Sequence, residues 1–446
     1  MTLIAALFLS APGIVSAQSG AVRLRAGAAK VDITPKASDL QFPTDSIRDH
    51  LYARAIVVNN GVSCAVLVGV DAGGLRDNVV NDAIDKASAS IKCPAENFII
   101  SATHTHSGSA GGLGGGPSAD AIVAAIEQAN AKLARASIGY GTAKVDLNVN
   151  RDLFNSKLEW RQAPNPDGPS DKTLAVVEFR GADGTPIAVY VNYAMHPVNY
   201  YLTGVISADF PGEVSRYVEE MFDNKTVAVF SQGAEGDQNP RLAYSPPFRF
   251  RQPQAATGNF NAQAAAAGRQ AISSENLPAY KKAMARTSDY VVMLGTMIGT
   301  TVTRMMREDI VPVDTASIWA GQQGVLCPGR ERLDAANPAR ENVFPGYKEG
   351  PDVKMKVGVM RIGDINFVSL NGEAYSEIGM KVKASSPASK TIFVGLANGM
   401  ANSGYIYSDA AYSHLTFQVI GSRLKPGCAE GKIVSTALDL MHESGK

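Results

Sequence analysis

The stretch NFIISATHTHSGSAGGLGGG, residues 97–116, places two histidines two positions apart directly after an apolar run. On an extended backbone, residues i and i+2 point to the same side, so His104 and His106 are expected to share one face. The chain contains six histidines, and two of them lie in this short stretch. Paired imidazoles at the end of a buried strand are suited to bind a metal ion.

Two further polar residues follow apolar runs in the same way. His196 precedes Pro197 in NYAMHPV, and Glu373 lies at a predicted strand-to-helix turn in SLNGEAY. Imidazole and carboxylate ligands together suit zinc with a position left for water, and they also accept iron or manganese. Such a site activates water and polarises a carbonyl group. Each of these residues alone could have a purely structural role. The prediction of a metal site therefore depends on their side chains lying close together in the fold.

The elements that must position these residues follow from the apolar pattern. Strand-like runs alternate with segments of helical spacing, which predicts an α/β or α+β layered core of mixed β-sheets covered by helices. Hairpin turns are predicted at Asn59-Asn60-Gly61 and at Gly363-Asp364. Arg54 and Asp71 lie in β-rich runs and are expected to pair with each other inside the scaffold.

One segment breaks this pattern. Residues 241–285 are rich in Pro, Gln, Ala and Asn, which indicates a surface insertion that could act as a lid. A helix is predicted to resume at residues 287–307. Neither an internal repeat nor an interdomain linker is evident, so we expect one mature domain over residues 18–446.

Composition and the N-terminus bear on location and partners. Lys and Arg together number 42, as do Asp and Glu, so the net charge gives no field that attracts nucleic acid. Beyond the N-terminus, no segment reaches the roughly 20 apolar residues of a transmembrane helix. Residues 1–17 end in Val15-Ser16-Ala17, a small-x-small pattern typical of a signal peptide, and a buried N-terminal helix is the alternative. We therefore expect a secreted or periplasmic protein.

The chain contains four cysteines, which permits two disulfides in an oxidising compartment. The spacing CxxC is missing from the sequence, which argues against a thiolate zinc site. We favour a bond between Cys327 and Cys428, whereas Cys64 lies in an apolar run and could be a buried thiol.

An ordered set of motifs resembles the catalytic domain of the neutral (non-lysosomal) ceramidase family. The motifs are AAKVDITP, SATHTHSG, NVNR, YAMHPV, SADFPG, GDQNP, NGEAY and LANGMANSGYIYSDAAY, and they occur in the family's order. SATHTHSG is the most specific, and the order of the others adds to it. The resemblance spans about residues 26–440 and implies the fold of that domain, without the family's C-terminal immunoglobulin-like domain.

The resemblance also implies a ligand set. One zinc ion per chain would be held by two histidines, a carboxylate and a tyrosine, namely His104, His196, Glu373 and Tyr405. Because the last loop is about two residues longer here than in the family, Tyr407 is the alternative tyrosine.

Further roles follow from the same resemblance. His106 would be the acid/base histidine beside the metal, and Arg151 falls where the family contacts the substrate headgroup. Asp237 and Asn239 lie in the polar turn GDQNP. Asn239 stands where the family has a serine proposed to take part in catalysis, and Phe417 stands where it has a second tyrosine. These two departures put ceramide in doubt as the substrate, although Asn239 could still donate a hydrogen bond to a developing oxyanion.

We therefore expect a zinc-dependent hydrolase in which activated water attacks an amide (N-acyl) bond. The substrate would be a small molecule, and an N-acylated lipid is one candidate. The first alternative is a metal-dependent hydrolase of a polar, non-lipid amide or ester. The second alternative is a non-catalytic binding protein that retains the metal.

Overall fold

The computed structural model of the chain describes residues 23–109, 116–242, 247–251, 270–337 and 339–445. The predicted signal peptide at residues 1–17 and the middle of the glycine loop lie outside the described residues. The predicted insertion at 241–285 is described in part.

The strands account for most of the regular structure. Within the described residues they are β1 Arg25–Asp32, β2 Ser46–Ile47, β3 Tyr52–Asn59, β4 Cys64–Val70, β5 Phe98–Ala102, β6 Ala134–Lys144, β7 Asn148–Phe154, β8 Trp160–Asn165, β9 Thr173–Gly181, β10 Pro186–Tyr193, β11 Val205–Ile206, β12 Val227–Gln232, β13 Gln238–Pro240, β14 Ile318–Arg332, β15 Tyr347–Ile362, β16 Ile365–Leu370 and β17 Lys390–Val394. The α-helices are α1 Asp77–Ile91, α2 Ala119–Ala131, α3 Asp209–Met221, α4 Leu277–Arg304, α5 Ser376–Ser385, α6 Phe417–Gly421 and α7 Ala429–Ser444.

The largest sheet has eight strands in the order β12-β10-β9-β6-β1-β3-β4-β5. Its two halves are joined through β1 and β6, which pair over two residues only, Arg25 with Arg135 and Ala26 with Ala134. The two halves lie close together where β4 faces β12. A Cβ atom placed on Gly69 of β4 would lie only 2.5 Å from the carbonyl oxygen of Phe230 in β12. A glycine is therefore required where these two strands come together.

Three smaller sheets complete the layers. They are the four-stranded sheet β14-β15-β16-β17, the three-stranded sheet β13-β7-β8 and the pair β11-β2. Apolar side chains of the large sheet, such as Tyr190 and Val229, form one core with Phe367 and Val394 of the four-stranded sheet. Mixed sheets covered by helices confirm the layered architecture that the sequence predicts.

Helices cover the outer faces of these sheets. Helix α1 buries Val80, Ala83, Ile84 and Ala87, which follow the i, i+3, i+4, i+7 spacing of a single helix face. With α2, this face packs on β3, β4 and β5. Helices α3 and α4 pack on β10 and β12, and α5 and α7 pack on the four-stranded sheet.

Helix α4 is longer than the sequence pattern predicts. It begins at Leu277 rather than at about residue 287, so residues 277–285 of the predicted insertion are helical. The early start is explained by a proline in the first turn, where its missing N–H is not needed. Before the helix, Arg251 is fully buried and forms an ion pair with Asp45 at 2.8 Å, which anchors part of the insertion to the core.

The four cysteines form two disulfides, Cys64–Cys93 and Cys327–Cys428. The second pairing confirms the one favoured from the sequence. Cys64 is not the free thiol considered for it, because the start of β4 lies beside Cys93, the second residue after α1. Of the helices described, none is both long and apolar enough to cross a membrane.

Candidate metal centre

Three strand ends converge on one point in the structure. His104 follows β5, His196 follows β10 and Glu373 follows β16. The Nε2 atoms of His104 and His196 each lie 3.3 Å from Oε2 of Glu373. The structure thus brings together the two histidines and the carboxylate that the sequence singled out.

The backbone fixes the orientation of His104. Its φ angle is +66°, a left-handed conformation that is uncommon for a residue other than glycine and is frequent at functional sites. Its Nδ1 atom donates to the carbonyl oxygen of Gly73 at 2.5 Å, and only 2% of its side chain is exposed. Because Nδ1 is committed to the backbone, Nε2 is directed at Glu373.

His196 is held in the same way from another strand. Its Nδ1 atom lies 2.8 Å from the carbonyl oxygen of Glu235 and 3.1 Å from that of Gln238. Its backbone N–H donates to the same Gln238 carbonyl at 3.0 Å. Both imidazoles therefore present Nε2 to the centre, which is the arrangement of metal-binding histidines whose second nitrogen is hydrogen-bonded.

Burial and the contacts of Glu373 with the two imidazoles set the pKa values in the centre. Burial raises the pKa of Glu373, but the facing imidazoles, His104 first, outweigh it and hold the pKa well below 4.5. Burial lowers the pKa of His104, but the Glu373 carboxylate outweighs it and the pKa is raised. Burial and the nearby Arg151 lower the pKa of His196 to about 3. Glu373 is therefore ionised and His196 is neutral, and these are the protonation states in which a carboxylate and an imidazole bind a metal ion.

His106 lies against His104 rather than against Glu373. The two Nε2 atoms are 3.2 Å apart, and the ring of Tyr201 meets His106 edge-on at 5.2 Å between centroids. Burial, followed by the other two imidazoles, lowers the pKa of His106 well below 6.5. The ring is therefore neutral.

Glu235 joins the site although the sequence analysis did not select it. It is fully buried, and neither carboxylate oxygen has a hydrogen-bond partner within the described part of the chain. Burial raises its pKa to about 8. Glu235 follows β12 as His196 follows β10, so the same strand-end argument could have identified it.

Two overlapping sets of side chains could hold a metal ion. One set is His104, His106 and His196, and the other is His104, Glu235 and Glu373; within each set the ligand atoms lie within 4.8 Å of one another. His104 belongs to both sets. The side chain of Glu373 is 18% exposed, so the centre opens to solvent on that side.

Arg151 of β7 forms one wall of the centre. Its guanidinium donates to the carbonyl oxygen of Gly236 at 2.6 Å and to Oδ1 of Asn239 at 3.2 Å. One Nη atom lies 3.5 Å from Nε2 of His196. Arg151 is only 2% exposed, so its charge is fixed beside the candidate metal ligands.

The two tyrosines considered as ligands point in different directions. The Tyr405 hydroxyl interacts with both Arg151 and Glu373, and burial, followed by Glu373, raises its pKa. The Tyr407 hydroxyl instead donates to the carbonyl oxygen of Leu424 at 2.7 Å, within the core between α7 and the four-stranded sheet. The structure therefore directs Tyr405 toward the centre.

Phe417 packs against the ring of Tyr405. The two rings meet edge-on with 5.8 Å between centroids, and the guanidinium of Arg151 lies 5.6 Å from the Phe417 ring. Phe417 therefore places an apolar ring beside Tyr405 and Arg151.

Asp237 is directed away from the imidazoles. Its carboxylate accepts hydrogen bonds from the backbone N–H of Ser376 at 2.8 Å, from the Ser376 hydroxyl at 3.0 Å and from Asn150 at 2.8 Å. Burial raises its pKa to about 7. Because Ser376 begins α5, Asp237 holds the first turn of the helix that follows Glu373.

Gln232, which the sequence analysis also did not select, connects the converging strands. Its side chain donates to the carbonyl oxygen of Thr103 at 2.8 Å and accepts from the N–H of Met195 at 3.3 Å. Its own carbonyl oxygen accepts from Gly395, which follows β17, at 3.0 Å. One buried amide therefore aligns the segments that carry His104 and His196.

The fold and this centre define a layered α/β protein whose strand ends gather histidines and carboxylates around a candidate metal site. The sequence is similar to the neutral ceramidase of Pseudomonas aeruginosa, with 28% identity over 255 residues that span 50% of this chain and 38% of that protein. No protein-family model matches the sequence.

Solved structures show the same fold. The crystal structure of neutral ceramidase from Pseudomonas aeruginosa matches 94% of this chain and 74% of its own, with a TM-score of 0.68 and 18% identity. A ceramidase complexed with C2 matches 94% of this chain and 75% of its own, with a TM-score of 0.69 and 17% identity. The sequence match confirms the resemblance to neutral ceramidases that the motifs indicated, and the structural matches confirm the fold.

Proposed function

We propose that the chain is a zinc-dependent hydrolase of ceramidase-like type that cleaves an amide (N-acyl) bond. The observation that supports this most directly is the meeting of two oriented Nε2 atoms with one carboxylate oxygen at 3.3 Å. One zinc ion per chain would be held by His104, His196, Glu373 and Tyr405. Imidazole and carboxylate ligands fit zinc.

The bound metal would supply Lewis acidity toward a carbonyl oxygen and would activate water for attack. His106, neutral and beside His104, would accept a proton from the attacking water and return it to the leaving nitrogen. Arg151 would orient a polar group of the substrate. Asn239 accepts from Arg151 through Oδ1, which leaves its NH₂ group to donate to a developing oxyanion. Asp237 would act by positioning the helix that follows Glu373.

The substrate class follows from the relatives rather than from the centre itself. Neutral ceramidase is the name of the similar proteins, and for this chain we propose an N-acylated lipid as the substrate. A polar, non-lipid amide or ester is the second candidate. Phe417 favours it, because the ring that packs on Tyr405 carries no hydroxyl to stabilise the oxyanion of a ceramide-like acyl group.

We also propose that the protein acts outside the cytoplasm. Residues 1–17 have the pattern of a signal peptide. The two disulfides support this, because such bonds persist in oxidising compartments and are rare in the cytosol.

Metal content measured by plasma mass spectrometry is the test of the centre. Wild-type protein is compared with His196→Ala and Glu373→Ala, and with His442→Ala as a matched control on α7. We expect one zinc ion per chain in the wild type and the control, and loss of zinc in both site variants. A wild type that holds no metal even after reconstitution would contradict the proposal.

Turnover of a substrate panel separates the bond and substrate classes. Ceramides and other N-acyl lipids are compared with polar amides and esters, using zinc-loaded protein with and without His106→Ala. Hydrolysis of N-acyl lipids that is lost in His106→Ala supports the first candidate, and selective hydrolysis of polar compounds supports the second. Zinc binding without turnover of any compound would favour a metal-retaining binding protein.

A further inference from the structure

A second polar cavity lies on the opposite face of β7 from the metal centre. Arg151 points toward His196, and its neighbours Asn150 and Asp152 point the other way, as successive residues of a strand do. The cavity has a volume of about 320 Å³, which is within the range of small-molecule sites. Its wall comes from β7, β8, the turn before β13, the start of α5 and the segment before α6.

The described residues that line this cavity carry a negative charge. Four of them are acidic and one is a histidine, and none is lysine or arginine: the charged members are Asp152, Asp167, Asp237, Glu377 and His414. Asp237 is engaged by Ser376 and Asn150, as described above. The remaining carboxylates give the cavity a field that favours a cationic ligand.

Asp152 is buried with one oxygen unpaired. It is 2% exposed, and its Oδ2 atom accepts from the Tyr375 hydroxyl at 3.0 Å and from Nδ1 of His414 at 2.9 Å. Its Oδ1 atom has no partner among the residues that the structure describes. A buried carboxylate oxygen without a donor is costly, and a charged N–H donor is the strongest group that could pair with it.

Aromatic rings form another part of the wall. The Trp160 ring stacks on His414 with 3.8 Å between centroids, and Phe154 lies 5.1 Å from Trp160. Asn342 fixes the backbone of Trp160 by accepting from its N–H at 2.5 Å and donating to its carbonyl oxygen at 2.7 Å. Aromatic faces attract cations and also cover the apolar body of a ligand.

We propose that this cavity is a binding site for a small organic ammonium compound, with the ammonium group at Asp152 and an apolar body against Trp160 and Phe154. The combination of a buried unpaired carboxylate oxygen, an excess of acidic groups and a stacked aromatic wall favours this class over anions and neutral polyols. The proposal does not depend on the hydrolase activity, because none of these residues is a candidate metal ligand.

Trp160 provides a direct readout of binding. The chain has two tryptophans, Trp160 and Trp319, so in a Trp319→Phe background the fluorescence reports on this cavity alone. The probe is benzylamine, which is positively charged at neutral pH, and benzyl alcohol is its uncharged isostere. We expect a saturable change in fluorescence with benzylamine and none with benzyl alcohol.

Three variants test the assignment of the groups. Asp152→Asn should raise the Kd for benzylamine at least about tenfold, because the acceptor of the ammonium group loses its negative charge. Glu377→Gln and Phe154→Ala, which change less buried parts of the wall, should each raise it several-fold. Asp85→Asn, an exposed charge change on α1, is the matched control and should leave the Kd unchanged.

Circular dichroism establishes that each variant is folded. If Asp152→Asn does not fold, Glu377→Gln and Phe154→Ala decide the question. The proposal is overturned by equal responses to benzylamine and benzyl alcohol, or by no saturable response to either. It is also overturned if the folded variants of the cavity wall bind benzylamine with the same Kd as the control. A change in Trp160 fluorescence with calcium ions alone would likewise overturn it, because the cavity would then be a metal site.

Discussion

Tyr405 and Tyr407 lie two residues apart, and yet their hydroxyl groups serve different parts of the molecule. The first interacts with Arg151 and Glu373, and the second donates to the carbonyl oxygen of Leu424. We predict that Tyr405→Phe lowers zinc affinity and hydrolysis with little change in stability. Tyr407→Phe should retain zinc and lose about 1 kcal/mol of stability, the usual value of one hydrogen bond.

Zinc titration and urea denaturation of the two variants check this prediction. Because both replacements remove a single hydroxyl from the same segment, each variant is the control for the other. Retention of full zinc affinity in Tyr405→Phe together with its loss in Tyr407→Phe would reverse the assignment of the ligand.

Glu235 makes the stability of the metal-free protein depend on pH. Burial raises its pKa from 4.5 to about 8, so the folded state holds its proton longer than the unfolded state does. The stability that this group contributes is therefore complete at pH values below 4.5 and is lost as the pH rises through about 8. Glu235→Gln cannot ionise, so the variant should become progressively more stable than the wild type over this range.

Thermal denaturation of metal-stripped protein across this pH range is the measurement, with Glu127→Gln, an exposed change on α2, as the control. Part of the pH dependence should remain in Glu235→Gln, because burial also raises the pKa of Asp237 to about 7. Parallel curves for Glu235→Gln and the wild type would show that Glu235 is not a buried, unpaired acid.

The sequence was informative about single residues where a polar side chain directly follows an apolar run. That rule located His104, His196 and Glu373, because a short local sequence pattern marks the end of a strand. Glu235 also follows an apolar strand, so the same rule applies to it. The partners of Asp237 could not be predicted, because Ser376 and Asn150 approach it from distant parts of the chain.

At the scale of elements, a buried ion cluster connects β3, the end of β4 and α3. Arg54 donates to Asp71 at 2.7 Å and to Glu219 at 3.3 Å, and all three side chains are at most 5% exposed. The expected pairing of Arg54 with Asp71 is thus confirmed. The cluster holds the segment whose Gly73 carbonyl orients His104.

We predict that Arg54→Met destabilises the protein by roughly 3–5 kcal/mol, because it leaves the buried carboxylate of Asp71 without a cation, whereas Glu219 keeps its pair with Lys30. Arg216→Met is the control, since Arg216 is 49% exposed in its pairs on α3 and should cost less than about 1 kcal/mol. Urea denaturation of both variants measures the difference. Similarly small losses of stability in both variants would mean that water solvates the carboxylates of the cluster when Arg54 is removed.

Elements defined by local signals were predictable. The turn at Asn59–Gly61 separates β3 from β4, and Gly363, at φ +65°, begins the turn between β15 and β16. The start of α4 was not found, because the composition of the preceding residues suggested an insertion and concealed a helix that begins with a proline in its first turn.

At the scale of the whole molecule, the sequence predicted layers but not their order. Strand β12 lies beside β10 and packs across the sheet on β4, and β16 belongs to a different sheet. These pairings join residues far apart in the chain, and local patterns carry no information about them. The centre exists only because strand ends of two sheets meet, so its geometry could not be derived before the fold was known.

The two disulfides constrain the whole chain to different extents. Cys327–Cys428 closes a loop with a sequence separation of 101 residues, and Cys64–Cys93 closes one of 29. On chain entropy alone, the longer loop contributes about 4.7 kcal/mol and the shorter about 3.6 kcal/mol. We therefore predict that Cys327→Ala/Cys428→Ala loses about 1 kcal/mol more stability than Cys64→Ala/Cys93→Ala.

Urea denaturation of the two double variants, with zinc present at saturation, measures this difference. Both variants should retain zinc, because neither disulfide contacts the candidate ligands. A larger loss for the shorter loop would show that packing of Cys64 and Cys93 against α1 outweighs chain entropy. Loss of zinc in the Cys327→Ala/Cys428→Ala variant would show instead that the bond between β14 and α7 helps to position Glu373 and Tyr405.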